Sequence, residues 1–421
     1  MTSLSPISDE LLMFIKRNIK ENPASLRLKY HGKINNFDLD FALTQIESRQ
    51  KTKKKLPHFI SNQCFIFPTV LSAEQASHEA VAAYHASLIE KNSDLLDMTA
   101  GLGIDVMTMA QKCSHATACE LDETKAQTLR HNCKVLGLDN ITVVGADSIE
   151  WIAETDKHFD VIFIDPARRG EDNARTYNFH DCQPDIMNLQ AMLSSKTSRL
   201  LIKASPLLDV AQTLKDISHV RAIRAICVNG ECKEILVEAL YTASASPLPD
   251  SVLKKAIDDS ILKEAIDLKD DGSLISKFSF YDTSEPEVDL STATPIAYAL
   301  ETDIIPGHYL YEPNAAVMKL APWNELCKTF DGLKKLAPSS HLFVSEKKYE
   351  SFPGRVLKIE KRIEKKDRKT LKDLPVNVAV RNYPLSASEL RKQLKVREGS
   401  DLFIYGTRIS APLLILARRE N

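Results

Sequence analysis

The sequence lacks the signals that several large classes of protein require. Its 421 residues include eight cysteines, but none forms a Cys-x-x-Cys pair or a cysteine–histidine spacing typical of a metal site. Reduced thiols are therefore favoured over a disulfide framework, and we expect no bound metal. No uncharged apolar run approaches the roughly 18 residues that a membrane-spanning helix needs, and the first residues, MTSLSPISDE, contain no basic-then-apolar leader. These absences predict a cytoplasmic protein with no membrane segment.

The chain also lacks internal repeats, a low-complexity tail and a strong excess of one charge. Its net charge of -2 argues against a protein that is basic overall. The charge is nevertheless uneven, because the runs RQKTKKK (49–55) and KIEKRIEKKDRKTLK (358–372) are strongly cationic. The second run interleaves acidic residues that could pair with lysines four positions away on a solvated helix face. Binding of nucleic-acid phosphates is the other interpretation, and the sequence leaves both open.

The order of apolar patterns indicates an α/β protein of about two to four domains. The first 60 residues show helical spacing, and Ser72 and Gln75 form a capping-box pattern that predicts the start of an alanine-rich helix. From Leu95, short apolar runs alternate with amphipathic segments, as in a mostly parallel sheet covered by helices on both faces. A small, polar, proline-rich stretch at 243–251 suggests a domain boundary, and two smaller α+β segments follow it.

Four successive predicted strands end on an acidic residue. The runs LLDMTAGLGIDV, ACELD, ITVVGAD and FDVIFID place there Asp97, Glu120, Asp147 and Asp165, and Gly101 and Gly103 follow the first. Ligands of open α/β sheets bind beyond the carboxyl ends of the strands, where glycine lets the backbone approach them. A rim of carboxylates repels a pyrophosphate but tolerates a sulfonium cation joined to a neutral adenosine. The set therefore predicts S-adenosyl-L-methionine, rather than a nicotinamide dinucleotide, as the cofactor.

These motifs, together with IDPARR (164–169), resemble the first four motifs of class I S-adenosylmethionine-dependent methyltransferases over about residues 90–240. The C-terminal stretch VAVRNYPLSASELRKQLKVREGSDLFIYGTR resembles the THUMP-like domain of a family of bacterial candidate RNA methyltransferases, which carries a ferredoxin-like segment between the two. The resemblance implies an α/β fold: a Rossmann-like seven-stranded methyltransferase sheet with a helical N-terminal region and small α+β C-terminal domains. The implied domains are 1–60 (helical), 61–245 (methyltransferase), 246–345 (ferredoxin-like) and 346–421 (THUMP-like).

The resemblance also implies a role for each motif residue. The carboxypropyl end of the cofactor would lie against Asp97, Gly101 and Gly103, its ribose on Glu120 and its adenine near Asp147. The methyl acceptor would lie at Asp165 and Pro166. The implied partner is RNA, either ribosomal or transfer RNA.

The Asp165-Pro166 junction suits methyl transfer to an exocyclic amine of a base. Proline biases the residue before it toward an extended conformation, so Asp165 is held at the strand tip. There its carboxylate can accept a hydrogen bond from the amine and localise the nitrogen lone pair for attack. The junction departs from the Asp/Asn-Pro-Pro-aromatic motif of amino-methylating enzymes, because Ala167 and Arg168 follow it. Tyr177 or Phe179 could supply the missing ring.

A second mechanism is the covalent one of the uracil-C5 RNA methyltransferases, in which Asp-Pro-Ala-Arg also occurs. Those enzymes place a cysteine nucleophile at the end of the following strand, where this sequence has KASP (203–206). Cys182 and Cys227 are the nearest cysteines in the sequence, and each is better explained as a buried thiol. Methylation of an amine or a ring nitrogen is therefore favoured over methylation of carbon.

Basic residues near the acceptor site are predicted to bind an anionic substrate. Arg168 and Arg169 follow the Asp-Pro pair and Lys203 ends the next strand, and a guanidinium group binds phosphate with two hydrogen bonds. Ion pairing of the arginines with Glu171 and Asp172 is the alternative. Two other functions stay open: methylation of a small molecule or protein, and RNA binding by a chain that kept the fold without catalysis.

Overall fold

The structure is a computed structural model that describes residues 7–32, 36–168, 179, 182–241, 260–283, 296–399 and 401–420. Contacts divide the chain into two units, Met1–Leu262 with Leu268–Ile275, and Lys263–Asp267 with Ser276–Asn421. Within the described ranges, no helix combines the length and the apolar character that crossing a membrane requires. The cysteines form no disulfide bond.

The first unit begins with helices, as predicted. They are α1 (Asp9–Asn18), α2 (Pro23–Tyr30), α3 (Leu39–Thr52), α4 (Pro57–Ser61), α5 (Val70–Gln75) and α6 (Glu79–Leu88). The side chains of Ser8, Asn22 and Asp38 start α1, α2 and α3 by accepting hydrogen bonds from main-chain N–H groups of the first turn. Leu26 and Ile46 belong to the apolar cluster that packs these three helices together.

The alanine-rich helix begins later than the capping-box pattern predicted. Ser72 and Gln75 lie inside the short helix α5, and the backbone then becomes extended at Ala76, with φ −55° and ψ 150°. Helix α6 starts only after His78, whose ring accepts a hydrogen bond from the N–H of Ala80. The prediction of one helix from Ser72 was therefore wrong, because this break separates two helices and leaves a loop at 76–78.

The rest of the first unit is built on one sheet. Its elements, in chain order, are β1 (Asp94–Asp97), α7 (Ile104–Met109), β2 (His115–Cys119), α8 (Glu123–Val135), β3 (Ile141–Val144), α9 (Ser148–Glu154), β4 (Val161–Ile164), α10 (Ile186–Lys196), β7 (Arg199–Ala204), α11 (Val210–Asp216), β8 (Val220–Val228) and β9 (Glu231–Leu240). Between β4 and α10, the short strands β5 (Ala167–Arg168) and β6 (Cys182–Gln183) pair antiparallel. Two further strands follow in the chain, β10 (Ser260–Leu268) and β11 (Leu274–Thr283), and their residues are divided between the two units.

The strands of the first unit follow the order β8-β9-β7-β4-β1-β2-β3. Strands β3, β2, β1, β4 and β7 are parallel, and β9 is antiparallel to both β7 and β8. The predicted Rossmann-like sheet of seven strands is therefore confirmed. Because the parallel strands share a direction, the carboxyl ends of β1, β2, β3, β4 and β7 meet at one edge of the sheet.

The second unit is a smaller α+β body. Its elements are a 3-10 turn (Glu301–Asp303), β12 (Tyr309–Pro313), α12 (Ala315–Leu320), α13 (Trp323–Thr329), β13 (Lys334–Lys335), β14 (Phe343–Ser345), β15 (Gly354–Ile363), a 3-10 helix (Lys365–Leu371), β16 (Asn377–Val380), α14 (Ala387–Leu394), β17 (Leu402–Arg408) and β18 (Pro412–Arg418). The strands form one sheet in the order β13-β14-β12-β15-β18-β17-β16. Leu310, Ile359 and Tyr405 lie in a core cluster of this unit, which joins β12, β15 and β17. The predicted α+β character of the C-terminal region is confirmed.

The cationic run 358–372 does not form the α-helix that the pairing interpretation assumed. Its first part belongs to β15 and the rest forms the 3-10 helix. Lys361 pairs with Asp367 at 2.9 Å and Lys366 pairs with Glu364 at 2.9 Å. Charges of the run are thus paired, but not at a spacing of four residues, because a strand places alternate residues on opposite faces.

Candidate active site

The loop that follows β1 makes hydrogen bonds to the predicted strand ends of β2 and β4. Asp97 is buried and its Oδ1 accepts a hydrogen bond from the N–H of Thr99 at 3.0 Å. The hydroxyl of Thr99 in turn accepts the N–H of Asp165 at 2.7 Å. The N–H of Gly101 donates to Glu120 Oε2 at 2.9 Å. This short loop therefore ties the carboxyl ends of β1, β2 and β4 to one another.

The two motif glycines are needed for different reasons. Both have a positive φ, 56° at Gly101 and 89° at Gly103, and residues with a side chain rarely adopt such a backbone angle. A Cβ at Gly103 would also lie 2.2 Å from Leu129 Cδ1, whereas one at Gly101 would meet nothing closer than 3.9 Å. Gly103 thus lets α7 start against α8, and Gly101 shapes the turn beneath the cavity.

The predicted cofactor-binding residues line one cavity of about 440 Å³. They are Asp97, Gly101, Gly103, Glu120 and Asp147, and Asp165 lines the same cavity. Glu120 Oε1 accepts the N–H of Asp122 at 2.9 Å, and Asp147 caps α9 by accepting the N–H of Ile149 at 2.8 Å. Each carboxylate oxygen keeps a second lone pair, so these bonds fix the side chains and still allow them to accept hydrogen bonds from a ligand.

This donor and acceptor set fits S-adenosylmethionine. Glu120 can accept from ribose hydroxyls, Asp147 from an adenine amine, and the buried Asp97 can pair with a cationic amino group. Burial raises the pKa of Asp97 to about 8, and the nearby carboxylates of Asp105 and Asp165 add to that rise, against the Thr99 N–H and Lys203. A buried acid that is costly to ionise is a suitable partner for a ligand that brings its own positive charge.

Asp165 lies next to Lys203, which was predicted to bind substrate. Lys203 Nζ donates to Asp165 Oδ2 at 2.6 Å, and the Asp165 side chain is 40% exposed. Burial raises the pKa of Asp165, while the ammonium of Lys203 opposes that rise. Lys203 therefore acts here as the partner of the Asp165 carboxylate, a role that the sequence did not indicate.

A buried charge network extends from Lys203 beneath the cavity. Lys203 also donates to the hydroxyl of Ser77 at 2.7 Å and lies 3.7 Å from Asp105 and 4.0 Å from Glu234. The ring of His85 is fully buried and bridges the two acids, with Nδ1 2.9 Å from Asp105 and Nε2 2.6 Å from Glu234. The network thus joins α6, α7, β7 and β9 around Lys203.

The charges of this network stabilise one another. Burial alone would lower the pKa of His85, but the carboxylates of Glu234 and Asp105 raise it to about 10. Burial would likewise lower the pKa of Lys203, but Asp165, Asp105 and Glu234 hold it well above its ordinary value. The pKa of Asp105 lies well below its usual range, because Lys203 and His85 outweigh its burial. His85 is therefore an imidazolium ion at neutral pH, with both nitrogens donating.

Sequence reasoning missed His85, Asp105, Glu234 and Ser77. His85 lies in an alanine-rich helix and Asp105 within GLGIDV, and Glu234 follows His85 by 149 residues. Of these four, only Asp105 lay inside a recognised motif. The chain order offered no spacing that could reveal a contact between such distant positions.

The remaining predicted residues have mixed outcomes. Pro166 is buried, and the backbone of Arg168 lies in β5. Arg169 and Tyr177 lie outside the described residues, so their predicted roles stay predictions. Phe179 is fully buried. The thiols of Cys182 and Cys227 are buried, as predicted.

Three segments of the chain match known families. Residues 46–183 match the family named Conserved hypothetical protein 95, residues 309–353 a ferredoxin-like domain, and residues 354–419 a THUMP domain-like family. A crystal structure from Porphyromonas gingivalis W83, described as that of a candidate methyltransferase, is 28% identical, covers 98% of each chain and has a TM-score of 0.80.

Curated relatives match a shorter stretch. Ribosomal RNA small subunit methyltransferase D of Buchnera aphidicola is 32% identical over 78 residues, 18% of this chain and 41% of that protein. The 23S rRNA (uracil(1939)-C(5))-methyltransferase RlmD of Marinomonas posidonica is 31% identical over 83 residues, 19% of each chain. The chain thus spans less than half the length of these curated relatives. The chain therefore combines a fold similar to that of a candidate methyltransferase with segments that match ferredoxin-like and THUMP-like families.

Proposed function

We propose that this protein transfers a methyl group from S-adenosylmethionine to a nitrogen atom of a base in RNA. The observation that carries the proposal is the environment of Asp165. Its Oδ2 is bound by Lys203, whereas Oδ1 receives no hydrogen bond from the described residues, and the side chain lines the cofactor cavity. A fixed carboxylate with one open oxygen is suited to orient an amine.

The chemistry divides between the cofactor and the chain. S-adenosylmethionine, when bound, supplies an electrophilic methyl group on its sulfonium. Asp165 Oδ1 accepts a hydrogen bond from the substrate amine, directs the nitrogen lone pair and can receive the amine proton. The ammonium of Lys203 opposes the rise in the pKa of Asp165 that burial causes, and it fixes the orientation of the carboxylate through the bond to Oδ2. Thr99 fixes the backbone at the same position by accepting the Asp165 N–H.

RNA is the substrate class that the other features favour. The THUMP-like segment and the names of the two ribosomal RNA methyltransferases that resemble part of the chain support it. One of these relatives is named as a uracil-C5 enzyme, but KASP (203–206) offers no cysteine, and Cys182 and Cys227 are buried. Transfer to nitrogen is therefore favoured over transfer to carbon. Ribosomal and transfer RNA remain the proposed partners, in the cytoplasm.

The test is methyl transfer from labelled S-adenosylmethionine to RNA from cells that lack the gene, followed by mass spectrometry of the nucleosides. We expect a base methylated on nitrogen. An Asp165→Asn variant should lose at least about 100-fold in rate, because the amide cannot take the proton. Its affinity for S-adenosylhomocysteine should change little.

Asp156→Asn provides the matched control, because Asp156 is exposed and precedes β4 at the opposite edge of the sheet. It should transfer methyl groups at the wild-type rate. Label found only in protein, or a C5-methylated uracil, would contradict the proposal, and so would an Asp165→Asn variant with full activity.

A further inference from the structure

A second cavity, of about 570 Å³, lies in the first unit and is lined by five lysines. Lys51, Lys54 and Lys55 come from the end of α3 and the turn that follows, Lys203 from β7 and Lys233 from β9. We name this cavity the lysine pocket. The lysine pocket brings three lysines of the cationic run 49–55 together with Lys203, whose ammonium group contacts Asp165.

The residues of the run 49–55 have different environments. Arg49 is buried and donates to the main-chain oxygens of Ile60 at 2.8 Å and Gln63 at 2.9 Å, so it is structural. Lys53 is exposed and does not line the pocket. Lys54 lines the pocket and makes no hydrogen bond or ion pair with the part of the chain that the structure describes. The interpretation of the run as a solvated helix face does not explain why Arg49 is buried, Lys53 is exposed and Lys54 lines the pocket.

The lysines are close enough to repel one another. The pKa of Lys55 falls to about 8, first because of burial and then because of the charges of Lys203 and Lys233. The pKa of His78 is lowered by burial and also by Lys233 and Lys55, against Asp270, which lies 3.4 Å from its ring. Positive charges therefore face one another across this space, and an anion within it would relieve their repulsion.

Acidic residues neutralise only part of the pocket. Lys51 pairs with Glu74 at 2.7 Å and Lys203 with Asp165 at 2.6 Å, whereas Lys54 makes no ion pair with the described residues. Of the three acids that line it, Glu234 bridges to His85, Asp270 lies beside His78, and Glu231 pairs with Lys233 at 2.8 Å. The Glu231 side chain is 76% exposed, and an ion pair of that kind contributes little.

The pocket and the cofactor cavity share a wall. Gln75, Ala76 and Ser77, from the end of α5 and the loop that follows, line both cavities. Lys203 lies at the junction, since its Nζ contacts both Ser77 and Asp165. A ligand in the lysine pocket would therefore lie next to a group bound at Asp165.

We propose that the lysine pocket binds a backbone phosphate of the RNA strand beside the base that is methylated. This inference rests on the proposed function and deepens it. Lysine ammonium groups bind phosphate as point charges, and phosphate contacts set the position of a nucleic acid without reading its sequence. A base presented to an enzyme for chemistry must leave its stack, and a held phosphate beside it would fix the displaced nucleotide.

The test compares two double variants of the full chain. Lys54→Ala/Lys233→Ala removes two pocket lysines, whereas Lys53→Ala/Lys157→Ala removes two exposed lysines outside the pocket and so matches the change in net charge. The probe is a fluorescein-labelled single-stranded RNA of random sequence, titrated over a range of salt concentrations. S-adenosylhomocysteine affinity checks that both variants keep their fold.

We expect the pocket variant to lower the slope of log affinity against log salt by about 0.7, because the contact with one phosphate is lost. Its affinity at about 0.1 M salt should fall at least about tenfold, and its KM for unmodified ribosomal RNA should rise by a similar factor. The control variant should match the wild type. Equal slopes and KM values for the two variants would contradict phosphate binding by the lysine pocket and leave the methyltransferase proposal intact. A wild-type protein that transfers no methyl group to RNA would overturn both.

Discussion

Glu120 and Asp147, at the ends of β2 and β3, are held by main-chain N–H groups, whereas Asp165, at the end of β4, is held by the side chain of Lys203. All three carboxylates line the same cavity, yet they depend on different parts of the protein. Bonds to the main chain form whenever the local loop folds. The bond to Lys203 depends in addition on Asp105, His85 and Glu234, which come from α7, α6 and β9.

The difference separates binding from chemistry. Carboxylates fixed by the backbone form a rigid framework that can accept hydrogen bonds from a ligand's hydroxyls and amines. A carboxylate fixed by a network of charged side chains has its ionisation controlled, which is what a group that handles a proton requires. We call Glu120 and Asp147 the outer half of the cavity, and Asp165 with Lys203 and its charged partners the inner half. Substitutions in the outer half should therefore cost little stability or activity, whereas substitutions in the inner half should cost much more.

Replacing Lys203 with methionine should have the largest effect on stability. The change leaves the buried carboxylates of Asp105 and Glu234 and the carboxylate of Asp165 without their shared cation, so we expect a loss of about 3–5 kcal/mol in the free energy of unfolding. Urea denaturation at neutral pH measures it. Lys157→Met, at an exposed site, should stay within about 0.5 kcal/mol of the wild type. A Lys203→Met variant as stable as this control would mean that Asp165 does not depend on the charged side chains around it, and the distinction between the inner and outer halves of the cavity would not hold.

A His85→Gln substitution should cost about 3 kcal/mol near neutral pH, because an amide cannot supply the positive charge between Asp105 and Glu234. The pKa of His85 is raised to about 10 in the folded protein, above its ordinary value of about 6.5. Its contribution to stability is therefore complete below about pH 6.5, declines as the pH rises and is lost through about pH 10.

Unfolding free energies of wild type and variant, measured across this pH range, should thus converge toward high pH. His158→Gln gives the control, because His158 is exposed. It should show no such convergence. A difference that grows as the pH rises would mean that His85 is neutral in the folded protein.

The sequence predicted the outer half of the cavity better than the inner half. Strand ends such as Glu120 and Asp147 follow apolar runs within one local motif, so the pattern of a parallel sheet places them at one edge without further information. The partners of Asp165 belong to elements that meet only after the chain folds. Lys203 itself was found, because it too ends a strand, but its predicted partner was substrate rather than Asp165.

The fold shows the same limit. The alternation of apolar runs predicted the Rossmann-like sheet, because period and length are local properties. The break at Ala76 was missed because the pattern at Ser72 and Gln75 is not a cap. The six-residue helix starts at Val70, Thr69 caps it, and Ser72 and Gln75 lie inside it.

The pH dependence of cofactor binding tests whether Asp97 belongs to the inner half. Burial raises its pKa to about 8 in the free protein, so below that pH it must release a proton before it can pair with the cofactor's amino group. Affinity for S-adenosylhomocysteine should therefore rise about tenfold per pH unit as the pH approaches 8. For the same reason, the free protein should lose stability as the pH rises from about 4 to about 8.

Asp97→Asn cannot ionise, and its affinity should be weaker and independent of pH, as calorimetric titration would measure. Asp156→Asn, the exposed control, should keep the wild-type pH profile. If the affinity of the wild type for S-adenosylhomocysteine does not change with pH, Asp97 belongs with Glu120 and Asp147, the acids that are held by main-chain N–H groups.

The smallest effect is expected at Asp147, in the outer half. Asp147→Ala removes the cap of α9 and should lower the free energy of unfolding by about 1 kcal/mol. Asp122→Ala removes the cap of α8 in the same way, since Asp122 accepts the N–H of Lys125 at 3.1 Å, but Asp122 does not line the cavity. Both variants should therefore lose similar stability, and only Asp147→Ala should weaken S-adenosylhomocysteine binding, about fivefold, for one lost hydrogen bond. Equal affinities in the two variants would show that Asp147 serves the helix and not the ligand.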